Sequence, residues 1–521
     1  MIRTLVGLCG NLGEAAGVDL SALARGIGGT GAEVAVRVFE DLCRRPQGLG
    51  QAVEAEGAGR VVLGLCGREY EERTVQIEMR EAGLDPLGLA AVDLSKWCSG
   101  LPRELATEKA KILLASAVAA VQAFPGSTVA NAKPCFPDRL SRRSFLQLPL
   151  PVYRPVPSVV RDRCRAEVGC RLCVQACPYQ ALSIRDGRLR LDRTRCEGCG
   201  LCLPTCPREA LFFPGYTPRE VEARIRTLLD PQGGGIEPRG ILFVCPHAER
   251  TTLLHPGWMP VELPCVAMAP PSWLVAPLWL GARAVGVLPC CGGCPADHVE
   301  TVHGRVAFCQ QLLERVGGRP ESVQFPPPLD QPPGNGRPEI SGRAGRGVSF
   351  EAHPQAVTST LLGFLEFISA EEEVVFEHPS SPVGVVEIAS EVCTACGMCA
   401  RTCPTGALTF EESDGQVRLA FDAARCTACG LCLPPCPEQE RGAIRVRRRF
   451  DSRRLRAGRV PVVWESVARC AACGAPIAPE RMLARVTALL EDGHPHLRQV
   501  LGRYCSSCRP LWSSRGKVAD G

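Results

Sequence analysis

The feature that most constrains this chain is a repeated pair of cysteine boxes. Residues 393–437 spell C-x2-C-x2-C-x3-C-P twice, as Cys393, Cys396, Cys399, Cys403 and then Cys426, Cys429, Cys432, Cys436. An earlier copy occupies 164–207, and LDRTRCEGCGLCLPTCP there is close to FDAARCTACGLCLPPCP here. Such short spacing lets one tight loop wrap three thiolates around a cubane face, while the cysteine before proline reaches across to the other cluster. The expected ligand sets are Cys393, Cys396, Cys399 with Cys436, and Cys426, Cys429, Cys432 with Cys403.

This pattern resembles the two-cluster bacterial ferredoxin fold. In the earlier copy Cys196, Cys199, Cys202 are regular and pair with Cys177. Cys170, Cys173 and Cys206 are also in register, but Glu167 stands where the first cysteine belongs and Cys164 lies three residues earlier. Thiolate is the softer donor and Gly169 lets the spacer loop out, so Cys164 is the expected fourth ligand; a three-iron cluster or Glu167 is the alternative. Four [4Fe–4S] clusters follow.

The chain has 521 residues and 31 cysteines. No secretory signal opens it, and tight C-x2-C groups read as metal ligands in a reducing, cytoplasmic setting rather than as disulfides. Net charge is +5 with scattered arginines, which argues against nucleic-acid binding. SRRSFL at 141–146 looks like an export motif but lies mid-chain before a Pro-rich stretch. The apolar run 266–289 is broken by prolines and Arg283, so it reads as strand–helix–strand in an α/β core, not as a membrane span.

The expected organisation is multidomain, α/β and α+β. An α/β domain with a largely parallel sheet covers 1–135, and a linker 136–160. The first ferredoxin module covers 161–214, a second α/β domain 236–325, a linker 326–350, the second module 385–450, and a four-cysteine tail 455–521. In the first domain TLVGLC, VAVRVFEDLC, RVVLGLC and LAAVDLSKWC read as strands running into loops, which brings Cys9, Cys43, Cys66 and Cys98 to one sheet edge. GIGGTG at Gly26–Gly31 follows a helix and precedes a strand, the reverse of a dinucleotide fingerprint, so neither FAD nor NAD is expected. In the tail, Cys470, Cys473, Cys505 and Cys508 have the spacing of a closed structural zinc site, with rubredoxin-type iron as the alternative.

Two further resemblances enter. The pieces LCGNLG, LCRRPQGLGQAV and RVVLGLCGREYEERTVQIEMREAGLDPLGL, with DLSKWC and ATEKAKILLASAV, make residues 1–125 similar to the N-terminal domain of the A-type polypeptide of heterodisulfide reductase. That resemblance implies an additional [4Fe–4S] cluster on the scattered cysteines, although Gly7 stands where the family has a cysteine and the family's FAD domain is missing. Residues 240–320, through ILFVC, VELPC, GARAVGVLPCCGGC and HGRVAFCQQLLERVG, resemble the delta subunit of methyl-viologen-reducing hydrogenase. It implies a [2Fe–2S] cluster on Cys245, Cys265, Cys294 and one of Cys290 or Cys291, with Ala248 in place of a family cysteine. His247, His298 and His303 lie nearby in sequence and are read as surface or supporting residues; Cys135 and Cys309 have no evident partners.

Together these imply an electron-transfer subunit. By resemblance it connects a hydrogenase or formate dehydrogenase to a flavin-bearing heterodisulfide-reductase-like complex. The alternative is a reductase of a disulfide or small substrate at the middle or N-terminal cysteines.

Overall fold

A computed structural model describes residues 2–28, 33–67, 72–128, 132–135, 151–246, 248, 254–290, 296–334, 348–368, 373–413, 415–490 and 495–509. The chain divides into two compact units, residues 1–164 with 171–372, and residues 165–170 with 373–521.

The first unit begins with four parallel strands, β1 (Thr4–Cys9), β2 (Val34–Phe39), β3 (Arg60–Leu65) and β4 (Leu89–Asp93), in the order β2-β1-β3-β4. After Thr4 and Arg60, β1 and β3 run apolar because both sheet faces are covered, as parallel sheets require. The connecting helices are α1 (Leu12–Ala16), α2 (Leu20–Gly28), α3 (Leu49–Glu56), α4 (Glu72–Glu81), α5 (Leu94–Cys98) and α6 (Arg103–Ala123). α6 packs on the sheet and on the helix Pro218–Leu229, which explains its nearly all-round burial. One expectation changes: DLSKWC is not a loop after β4. Asp93 caps α5, its carboxylate accepting from the Lys96 amide at 2.9 Å, so the chain coils at once and carries Cys98 inward. In GIGGTG the first three residues end α2, and the others lie outside the described residues.

The segment expected as a linker contributes strands. Val152–Pro155 pairs with Ala132–Cys135, and Ser158–Val159 pairs with Leu211–Phe212. Residues 136–150, with SRRSFL, lie outside the described residues. Gln76 on α4 bonds the main chain of Tyr153 in both directions, at 2.7 and 3.0 Å.

A second parallel sheet has strands Trp258–Glu262, Gly240–Val244, Val285–Leu288 and Val323–Gln324, in that spatial order. The apolar run 266–289 opens on a short turn of 3-10 helix, Val266–Met268, not a strand; the helix Pro271–Trp279 and the strand Val285–Leu288 follow. Pro271 sits at the first helical turn, where its missing amide costs nothing. Among the described residues no helix is long and apolar enough to cross a membrane.

In the second unit Val385–Ile388 pairs with Ile444–Arg447 around the second set of cysteine boxes. Leu408–Ser413, Gln416–Asp422, Arg459–Arg469 and Pro476–Pro479 form an antiparallel sheet in that order. The tail therefore begins as a strand of the module's own sheet, and then adds the helices Glu480–Leu489 and Pro495–Arg503.

Candidate metal centres

The second set of boxes folds each C-x2-C into a reversal. Ala395 and Ala428, at the same place in the two boxes, both take left-handed backbone at φ 52°. That turn points successive thiols inward. One cavity is lined by Cys393, Cys396, Cys399 and Cys436, walled by Ile388, Leu419 and Ile444. The last cysteine of each box interacts with the other box: Cys436 with Cys396, and Cys403 with Cys426 and Cys432. Burial pushes the Cys399, Cys426 and Cys432 thiols up to about 12. Thiols so placed ionise only against a metal, which fits a buried thiolate-ligated centre.

The first set repeats this. Cys202 interacts with Cys199, Cys173, Cys196 and Cys177, and burial holds it well above the ordinary thiol range. Cys164 interacts with Cys206 and packs with Cys173, Cys177, Leu182, Ala210 and Leu211 in one apolar cluster. The Glu167 side chain is 65% exposed and pairs with Arg165 at 3.7 Å. Backbone amides of Ala181 and Ala210 donate to the Cys177 and Cys206 sulfurs at 3.4 and 3.2 Å. Such N–H···S bonds are a lever on cluster potential.

Residues 163–212 and 392–439 match the model of the 4Fe-4S dicluster domain. The chain carries two 4Fe-4S dicluster domains. No curated protein matches the chain. Beyond these two domains the cysteines fall into three further groups.

In the N-terminal sheet, Cys9 ends β1, Cys66 follows β3, and Cys43 lies in the loop after β2. Their sulfurs converge: Cys9–Cys66 is 3.3 Å, Cys43–Cys66 is 3.2 Å, and all three lie within 4.8 Å of one another. A hydrogen bond from the Cys43 thiol holds Cys9 down at about 5. Cys98 does not join them. It is fully buried, and its electrostatic neighbours are Lys109 and Asp93. Lys109 is itself fully buried, and its ammonium has no hydrogen-bond partner among the described residues. Burial lowers its pKa to about 8.

The middle sheet places Cys245 after its first strand, and Cys265 and Cys290 in the loops after the second and third. A hydrogen bond from the Cys265 thiol holds Cys245 down at about 6, with Cys290 contributing in the same direction. The His298 Nδ1 lies 3.5 Å from the Cys265 sulfur, and Arg305 donates to the Ala267 and Ala269 carbonyls at 2.7 Å, tying down the loop after Cys265. This edge abuts the first dicluster domain. Cys199 is an electrostatic neighbour of Cys265, and the Met268 side chain lies against Gly200. Gly200 has φ 72°, and a Cβ there would overlap the Met268 terminal methyl, so glycine is what allows the approach. On another side, the Lys96 Nζ of α5 bonds the Pro246 carbonyl at 3.4 Å and pairs with Glu262 at 3.6 Å. Cys291, Cys294 and His247 lie outside the described residues. His303 is exposed, with its ring tilted against Phe325; Cys309 is buried and donates to the Pro271 carbonyl. Cys135 is half-buried beside the Lys133 carbonyl.

In the tail the four sulfurs of Cys470, Cys473, Cys505 and Cys508 lie within 4.8 Å of one another, with Cys473–Cys505 at 3.7 Å. In a last group, Glu209, Glu351 and His353, Glu209 lies 2.5 Å from the His353 Nε2 and pairs with Arg163 at 3.2 Å. Sequence reading missed Lys109, Arg305 and the Met268–Gly200 contact. None carries a motif, because each acquires its meaning from a chain-distant neighbour.

Proposed function

We propose that the chain is an iron–sulfur relay whose middle α/β domain is an electron port set against the first dicluster domain. The observation that carries this is the approach of the Cys265 loop to Cys199 and Gly200. A bound iron–sulfur group supplies one-electron chemistry and nothing else is asked of it. The protein's part is to hold thiolates at fixed depth, exclude water, and aim amides at sulfur.

The ligand sets of this reading are Cys393, Cys396, Cys399, Cys436 and Cys426, Cys429, Cys432, Cys403 in the second domain. In the first they are Cys196, Cys199, Cys202, Cys177 and Cys164, Cys170, Cys173, Cys206. Support for Cys164 is its packing beside Cys206, against the exposed, ion-paired Glu167. The middle edge takes a [2Fe–2S] cluster on Cys245, Cys265 and Cys290 with a further donor, and the tail takes zinc. Redox partners follow from dicluster domains. They are a hydrogenase or formate dehydrogenase on one side and a flavin-bearing heterodisulfide-reductase-like complex on the other.

Anaerobic purification with metal counts tests the reading. Four cubane clusters and one [2Fe–2S] cluster require about 18 iron atoms per chain. Cys164→Ser perturbs one cluster and Glu167→Ala leaves the iron count unchanged. Iron near zero ends the relay reading; iron lost on the Glu167 change alone reverses the ligand assignment.

A further inference from the structure

Sulfur spacing differs between the dicluster domains and the tighter cysteine groups, and spacing reports nuclearity. Thiolates bound to one tetrahedral metal ion through bonds of about 2.3 Å stand about 3.8 Å apart. Thiolates of a cubane each bind a different iron and point outward, which separates them to about 6 Å with the same bond length. The molecule contains its own standards. The tail sulfurs fall within 4.8 Å, with one pair at 3.7 Å. Every cysteine of the two dicluster domains is described, and no three of their thiols meet that limit. Cys9, Cys43 and Cys66 do, at 3.2 and 3.3 Å.

We propose that Cys9, Cys43 and Cys66 bind a single zinc-type ion rather than an iron–sulfur cubane, and leave one coordination position to water that a small thiol can replace. The site lies where the strand order turns, at the carboxyl ends of adjacent β1 and β3, the usual place for a ligand crevice in an open α/β sheet. No fourth protein thiol converges on it among the described residues, since Cys98 is buried beside Lys109 instead. Cys66 is the partly exposed member, and so the open corner has a side facing solvent. Three protein donors plus an open position is the coordination of reactive rather than structural zinc, and three thiolates suit a soft incoming donor. This departs from the cluster that resemblance to the reductase polypeptide implies.

The test uses the anaerobically purified full chain, with zinc and iron counted in the unaltered protein, Cys66→Ser and Cys98→Ser. The expected result is that Cys66→Ser loses about one zinc and no iron, and that Cys98→Ser loses neither. Loss of about four iron on the Cys66 change restores the cubane and overturns the proposal. No change in either metal overturns it too, and zinc loss on the Cys98 change overturns the open position. Retained iron in the dicluster domains shows that a variant has folded. A second measurement needs no variant of the ligands: with cobalt in place of zinc, the visible band of the unaltered chain shifts on adding 2-mercaptoethanol. A band that does not move overturns the open position. The counts are independent of the relay reading, because failure of that reading shows as missing iron in the unaltered chain.

Discussion

The two α/β domains of the first unit solve one topological problem with different electrostatics. Both sheets run in the order second, first, third, fourth strand, and both place a cysteine at or just past the first strand and one in each of the next two loops. In both, the first cysteine is held low by the second, Cys9 at about 5 and Cys245 at about 6. Their surroundings then part. The N-terminal edge draws its three sulfurs together, and behind it lies a buried lysine with no hydrogen-bond partner among the described residues. At the middle edge a histidine lies against one sulfur, an arginine ties down the adjoining loop, and a dicluster domain abuts the whole. Shared strand order thus fixes where thiols gather, and chain-distant neighbours decide what the gathering is for.

The largest expected effect tests that difference in buried cations. Lys109 has its pKa lowered by burial to about 8 from 10.5. The unfolded chain therefore binds more protons than the folded one between those values, and this group makes stability rise with pH across that window. Lys109→Met removes a burial cost of about 3 kcal/mol at pH 7. The variant should unfold at higher denaturant, and the gain should shrink as pH approaches the unfolded lysine value. An unchanged midpoint would mean that the ammonium has an unseen anionic partner. Arg305→Met is expected to go the other way by about 2 kcal/mol, because the Ala267 and Ala269 carbonyls lose their donor. A stabilised Arg305 variant would erase the contrast between the domains. The smallest effect is at Lys96. Its amine is bonded to Pro246 and Glu262, yet Glu262 is about one-third exposed, so Lys96→Met should cost about 0.5 kcal/mol or less in the same titration.

How legible this was in the sequence depends on whether the determinant was local. Dicluster spacing is local, because one loop supplies three thiols, and the two matched segments sit where the boxes lie. The parallel sheets were legible because runs such as TLVGLC and ILFVC are apolar on both faces and end in a cysteine. Cys98 was misplaced by a signal that was present: Asp93 three residues before Lys96 is a helix cap, and a helix there turns the thiol inward. The sheet partner of Arg459–Arg469 was not legible, since nothing local says that it pairs with Gln416–Asp422. Lys109 reads in sequence as one more polar residue of an amphipathic helix; only the second layer over α6 buries it.

The strand Arg459–Arg469 pairs with the dicluster domain's sheet along its first part and with Pro476–Pro479 at its end, directly before Cys470. Amide exchange along one strand is cooperative with whatever pins its ends. Adding zinc to a metal-free chain should therefore lengthen exchange protection times in Gln416–Asp422 as well as in the tail, if the four tail cysteines take it up as proposed. With the proposed metal in place, the four-cysteine group would act as a clasp on the sheet beside the second dicluster domain, so that metal starvation in the tail would register as softening of that domain.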